Sequence, residues 1–187
     1  VNEAHLRILS SEEWAETLQV EMLPWVAEAG DLGDDVLELG PGPGLTTDLL
    51  RQRVRNLTAV EIDPALATAL RDRLAGSNVT VVQTDATCTG LDGGRFSTIV
   101  CISMLHHVPS AYLQDGVFRE AWRLLRRHGR FLGVDTLDSE ATRELHAGDI
   151  FVPLAAGALP ARLEGAGFGD VAVSTTERRV RFIATKP

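Results

Sequence analysis

The 187 residues suit one domain, and a 44% hydrophobic content is enough to fill a core, which excludes wholesale disorder. Asp plus Glu number 26 against 18 Lys plus Arg, a formal net charge of -8, so the chain as a whole lacks the basic footprint of a nucleic-acid or anionic-membrane binder. Cys88 and Cys101 have neither zinc-type nor redox-type spacing, and no N-terminal apolar h-region precedes the first charged residues, so a cytoplasmic location without a membrane anchor is expected.

The chain begins at Val1 rather than Met, which leaves room for missing N-terminal residues. Its opening reads as helical. Ser10 and Glu13 have capping-box spacing, and Trp14, Leu18, Met22 and Trp25 recur at helical intervals until Pro24 bends or ends the helix. This stripe reads as core-facing, with the lining of a ligand cleft as the alternative. From Asp35 onward, short apolar runs alternate with helical segments. Strands are expected at 36–39, 57–62, 79–83, 96–103, 130–135, 171–175 and 180–185. Helices are expected at 45–54, 65–74, 111–127 (stopped by Gly129) and 160–165. Residues 96–114 carry no Asp, Glu, Lys or Arg, but His106, His107 and Pro109 make them a buried strand and loop rather than a membrane span. Alternation of this kind predicts a mainly parallel sheet covered on both faces. The few residues from Thr176 to Arg179 are too short for a parallel crossover, so the last two strands pair antiparallel.

The sharpest local feature is Glu38-Leu39-Gly40-Pro41-Gly42-Pro43-Gly44, between the first strand and the next helix. Alternating glycines let the backbone turn tightly and approach a ligand. Position six counted from Gly40 is Leu45, so the loop departs from the dinucleotide fingerprint, and no Lys-Ser/Thr pair makes it a P-loop. The second strand ends in Glu61-Ile62-Asp63-Pro64. Glu61, about 20 residues after the first glycine, is placed to hold a ribose by its hydroxyls, while Asp63 caps the helix begun by Pro64. The third strand ends at Thr84-Asp85-Ala86, where the Asp85 carboxylate and the Ala86 N–H can meet an adenine edge. Glycine loop, ribose acid and adenine acid in that order point to an adenosine-containing ligand.

These residues resemble the class I S-adenosylmethionine-dependent methyltransferases, in particular the small bacterial type-11 group, over roughly residues 34–187. The resemblance implies a Rossmann-like α/β fold, a mixed seven-stranded sheet of order 3-2-1-4-5-7-6 with the last strand antiparallel and helices on both faces. It implies one methyltransferase domain over 1–187, with 1–33 as an N-terminal helical segment. Carried over, Glu38 and Gly40, Pro41, Gly42 and Gly44 flank the methionine part of S-adenosylmethionine. Glu61 and Ile62 take the ribose side, Asp85 and Ala86 the adenine, and Ser103 and Met104 lie beside the cofactor. Ser97 departs from the Asp that commonly follows the Phe at this point, and prolines fill both intervening positions of the glycine loop.

His106 and His107 follow the fourth strand at the ligand-binding edge of such a sheet and are the candidate general bases. The alternative is structural: one bonds a loop carbonyl and the other packs. A metal site of His106, His107 and Asp149 is set aside because adjacent histidines usually diverge, and no metal is expected. The segment 138–159, with His146, Asp149 and the apolar run 150–154, reads as part of an acceptor pocket or as cover for the sheet edge. Arg119, Arg123, Arg126 and Arg127 read as a solvated helix face, and Arg178, Arg179 and Arg181 as charges blunting an exposed edge. The expected function is methyl transfer to a small-molecule acceptor, with no nucleic-acid or membrane partner. A nucleic-acid methyltransferase and a non-catalytic cofactor-binding module are the alternatives. Monomer and homodimer both stay open.

Overall fold

Buried parallel strands need near-continuous apolar runs, and this chain supplies them. The structure, a computed structural model, describes residues 2–187. Helix α1 (Glu3–Leu9), α2 (Glu12–Thr17) and α3 (Leu23–Glu28) precede β1 (Asp35–Leu39). Then follow α4 (Leu45–Leu50), β2 (Asn56–Glu61), α5 (Pro64–Arg73), β3 (Val79–Gln83) and β4 (Phe96–Ile102). The chain continues through α6 (Ala111–Leu124), β5 (Leu125–Thr136), α7 (Glu140–Leu145), α8 (Leu159–Gly165), β6 (Gly169–Thr175) and β7 (Arg179–Thr185). The sheet order is β3-β2-β1-β4-β5-β7-β6, with β7 antiparallel to both β5 and β6. This is the Rossmann-like order that the resemblance implies.

Side chains alternate along a strand, and the two faces of the sheet therefore fill two cores. Leu37, Leu39, Ile99 and Cys101 face one side, where α6 and α8 pack Val117, Phe118, Ala121, Leu124 and Leu163 against them. Phe131 and Phe182 meet Phe118 edge-on there. Val36, Val100, Ile102, Leu132 and Val134 face the other side, covered by Leu18, Met22, Leu23, Val26 and Leu50. The stripe of the opening segment is thus mainly core-facing. Its cap is Ser11, which accepts from the Trp14 N–H at 3.1 Å, rather than Ser10. Pro24 is absorbed by a π-helical turn, Leu18–Met22, and sits in the first turn of α3, where its missing N–H costs no ladder bond.

Three expectations are corrected. Helix α6 stops at Leu124, not Arg127, because the sheet captures the chain: the Arg95 N–H bonds the Leu124 carbonyl and Phe96 pairs with Leu125. A register shift then bulges Arg126, Arg127 and His128 out of the ladder, with His128 at φ +60°, so the row of arginines is split between α6 and β5. The second correction concerns Arg179 and Arg181, which do not blunt an edge, while Arg178 stays exposed in the hairpin turn. Strand β7 is interior to the sheet, and Arg179 and Arg181 lie over the rings of Trp14 and Trp25 at 5.2 and 5.9 Å. Third, the segment 138–159, where no helix is expected, holds α7, and Ser139 and Thr142 close a capping box at its start. Among the described residues, no helix is long and apolar enough to cross a membrane.

Candidate active site

The loop after β1 is shaped by two constraints. Gly40 has φ +68°, and a Cβ there would come within 2.2 Å of Met104 Cγ, so no larger residue fits without displacing Met104. Its N–H donates to the Val60 carbonyl at 2.9 Å, tying the loop to β2. The Gly42 N–H donates to Glu61 Oε2 at 3.0 Å, and Glu61 Oε1 accepts from the Asp63 N–H at 2.9 Å. Glu61 therefore links two strand ends while being only 6% exposed. Asp63 caps α5, accepting from the Ala65 and Leu66 N–H groups. Asp85 Oδ1 accepts from both the N–H and the hydroxyl of Thr87, an Asx-type turn that fixes the carboxylate.

These strand ends enclose a cleft of about 380 Å³. Of the residues expected at the cofactor, Gly40, Gly42, Glu61, Ile62, Asp85, Ala86, Ser103 and Met104 line it, and His107 joins them. Glu38, Pro41 and Gly44 do not. Glu38 lies beneath the loop, accepting from the Thr47 hydroxyl at 2.6 Å, and burial pushes its pKa up to about 7 against the pull of that hydrogen bond. Pro41 faces a small hollow on the other side of the loop, shared with Trp14 and Thr46. Gly44, at φ +91°, packs against Leu70 and Arg73 of α5. Ser97, where an Asp is commoner, donates to the Leu32 carbonyl and ties β4 to the segment before β1.

A second cavity of about 540 Å³ adjoins the cleft, and Ser103 and Leu9 line both. Ser103 holds a left-handed backbone at φ +53°, unusual for a residue with a side chain and a feature that gathers at functional sites. Trp14, Leu137, Leu145, Thr142 and Arg179 wall the second cavity together with His5, His106 and His146. Burial lowers the pKa of Arg179, opposed by Glu21 and Asp135. Residues 150–154 and Asp149 do not line this cavity. Phe151 instead stacks on His146 at 4.4 Å, and Leu154 joins the core.

His106 and His107 part ways in what they face. Both stand on a 3-10 turn, Leu105–His107, that bends the chain back after β4. His106 faces the second cavity and His107 the cofactor cleft. Their rings nevertheless converge, with centroids 4.1 Å apart, which overturns the premise that these neighbours diverge. His106 Nδ1 lies 2.5 Å from Asp135 Oδ1, and Asp135 Oδ2 accepts from the Leu105 and His106 N–H groups. Burial would raise the Asp135 pKa, but His106, through its charge and its hydrogen bond, holds it below the usual carboxylate range. Burial lowers His107 to about 3 and His5 to about 4, with neighbouring histidines adding to the effect, so both rings are neutral near pH 7.

The sequence reading missed Asp135, His5, Arg179 and Leu9. Asp135 had a usable signal: it is a carboxylate at the C-terminal end of a parallel strand, like Glu61 at the end of β2. His5 had none, because nothing local joins α1 to the turn after β4.

Strand order, glycine loop and the three carboxylates at strand ends define the class I S-adenosylmethionine-dependent methyltransferases. Residues 37–133, just over half of the chain, match the family described as "Methyltransferase domain", and the chain belongs to that family. An rRNA adenine N-6-methyltransferase of Saccharopolyspora erythraea is 49% identical over 63 residues, 32% of this chain and 16% of that protein. A ubiquinone biosynthesis O-methyltransferase of Pseudomonas aeruginosa is 30% identical over 110 residues, 57% of this chain and 46% of that protein. The match thus spans less than half the length of either relative. A Haemonchus contortus phosphoethanolamine N-methyltransferase 2, solved with S-adenosylhomocysteine, shares the fold with a TM-score of 0.75 at 14% identity, over 88% of this chain and 52% of that one.

Proposed function

We propose that this chain transfers the methyl group of S-adenosylmethionine to a small molecule held in the second cavity. The observation that carries the reading is the junction: Ser103 and Leu9 belong to both walls, which supports a methyl donor in the cleft reaching an acceptor in an adjoining compartment of small-molecule size. Glu61 holds the ribose hydroxyls with its remaining lone pairs, Ile62 covers the nucleoside, and Asp85 and Ala86 meet the adenine. Gly40, Gly42, Ser103 and Met104 border the methionine part. Glu38 shapes the loop from below, and Pro41 and Gly44 fix its course. The close approach of the Gly40 backbone, which a Cβ would block, fits such a ligand.

When bound, the cofactor would supply a methyl carbon on a sulfonium, open to an acceptor's electron pair with the carbon–sulfur electrons returning to sulfur. The protein's share is alignment and water exclusion, with removal of the acceptor's proton where it carries one. His106, held at Nδ1 by Asp135, borders the second cavity, and proton removal from the acceptor is assigned to it. His107 shapes the cleft. Trp14, Leu137 and Leu145 favour a partly apolar acceptor, and Arg179 one that bears an anionic or strongly polar group. Residues 1–187 act as one domain, in which His5, Ile8, Leu9 and Trp14 of the N-terminal helical segment 1–33 border the acceptor, in the cytoplasm, where the free thiols Cys88 and Cys101 stay reduced.

Calorimetry with S-adenosylmethionine and S-adenosylhomocysteine, followed by release of labelled methyl over a metabolite panel and an oligoribonucleotide, tests this. Saturable cofactor binding with transfer to a metabolite supports it. Transfer to RNA alone would move the acceptor outside the cavity. Binding without any transfer would make the chain a cofactor-binding module.

A further inference from the structure

Four of the chain's five histidines converge on one point. His5 comes from α1, His106 and His107 from the turn after β4, and His146 from the C-cap of α7. One potential ligand nitrogen from each lies within 4.8 Å of the other three. Ring centroids are 4.6 Å apart for His5 and His146 and 4.8 Å for His106 and His146. His106, His146 and His5 are 1%, 4% and 5% exposed.

Ring packing alone does not explain the arrangement. A neutral imidazole has one donor and one acceptor nitrogen. His146 uses Nδ1 on the Thr142 carbonyl at 2.6 Å, so that nitrogen is the donor and Nε2 is a bare lone pair. His106 uses Nδ1 on Asp135. Both Nε2 atoms are buried without a partner, as are His5 Nδ1 and both nitrogens of His107. Among the described residues, six buried side-chain nitrogen or oxygen atoms lack a partner, and five of them belong to these four rings. Buried polar atoms are ordinarily paired, so such a concentration marks one shared partner rather than five separate defects.

We propose that His5, His106, His107 and His146 bind a divalent first-row transition metal, with zinc the ion they suit best. An all-imidazole set favours zinc, copper, iron or nickel and offers nothing to calcium or magnesium, which need oxygen. Asp135 behind His106 and the Thr142 carbonyl behind His146 are the outer partners that fix tautomer and ring direction in such sites. Nitrogens on one tetrahedral zinc stand about 3.4 Å apart, so the rings close by about an ångström as the ion enters, within the reach of the His5 and His107 torsions.

The place matters as much as the donors. His5, His106 and His146 line the second cavity and His107 the cofactor cleft, so the ion lies where the two meet. It staples α1 to the turn after β4 and to the end of α7. With the ion bound, His106 Nε2 is a ligand rather than a base, and where half-buried His107 yields its place to an acceptor oxygen the ion lowers that oxygen's pKa in its stead. This second use rests on the acceptor reading above; the binding itself does not.

Metal-stripped protein, titrated with Zn²⁺ by calorimetry and with Co²⁺ by visible absorption, tests the site. One ion per chain is expected, with tetrahedral cobalt bands and a higher Tm in zinc. H5A and H146A should each weaken zinc binding at least 100-fold, while H128N, at an exposed residue of β5 whose left-handed backbone Asn tolerates, leaves it unchanged. S-adenosylhomocysteine affinity within threefold of the parent shows that the variants are folded. Sub-stoichiometric uptake, an octahedral cobalt spectrum, or parental zinc affinity in H146A overturns the proposal. Zinc bound as expected without methyl transfer to any metabolite would sink the acceptor reading alone; methyl transfer without metal uptake would sink the metal site alone.

Discussion

The two cavities share Ser103 and Leu9 but are made of different material. Backbone N–H groups and carboxylates at the ends of β1, β2 and β3, which are neighbours in the sheet, build one side of the cleft, through bonds within a strand end or to the adjacent one, and Leu6, Leu9, Leu113 and Val117 of α1 and α6 border the rest. Side chains from α1, α2, the turn after β4, α7 and β7 build the second cavity, joined only when the whole fold is assembled. The strand-end part of the cleft follows from neighbouring strands and their local turns. The second cavity is assembled from segments far apart in the sequence, and under the proposed function acceptor selectivity would reside there.

Four substitutions separate the two walls. The largest expected effect is on the assembled side. Asp135 is fully buried and accepts from three backbone N–H groups and His106, so Asp135→Asn should cost about 3–5 kcal/mol of folding stability in urea unfolding. A loss below about 1 kcal/mol would mean that the carboxylate is not what holds this wall. On the sheet-edge side, Glu61→Ala should weaken S-adenosylhomocysteine at least 100-fold by calorimetry, about 3 kcal/mol for the charged hydrogen bonds removed. A change under fivefold would break the assignment of that edge to a nucleoside.

Next comes a pH effect beneath the glycine loop. Glu38 has a pKa of about 7 in the folded chain against 4.5 ordinarily, so the folded state keeps a proton that the unfolded state gives up across that window. Its contribution to stability is present below pH 4.5 and is lost as pH rises to 7, by about 3 kcal/mol at most. Urea midpoints of wild type minus Glu38→Gln should fall steadily between those values; a flat difference would show that Glu38 is already ionised. The smallest effect belongs to the junction. Ser103→Gly relieves a left-handed backbone and should raise stability by about 0.5–1 kcal/mol, read as a higher Tm, and a lower Tm would show that the Ser103 side chain matters more than the relief of its backbone.

The same division governs what could be read from the sequence. The hairpin, the glycine loop, the Asp63 cap and the positions of Glu61 and Asp85 were legible because each is encoded within a few residues of a strand end, whereas the strand order came only with the family resemblance. Helix α7 and the short α1 gave no periodicity long enough to see. His146 was legible as a pocket candidate in 138–159 and does line the second cavity, but its convergence with His5, His106 and His107 was not, because a cluster drawn from three segments has no spacing of its own. The split of Arg126 and Arg127 from α6 reflects tertiary override: the helical pattern continues past Leu124, but pairing with Phe96 draws the chain into the sheet.

Leu9 has a kinetic consequence. With Leu6 facing the cleft, Ile8 the second cavity and Leu9 both, α1 borders two openings at once. Were α1 to move aside to admit one ligand, its hold on the other would loosen with it, and a molecule that kept α1 in place would trap its neighbour. Steady-state rates should then show a compulsory order of arrival, with excess acceptor slowing turnover by sealing the demethylated nucleoside inside.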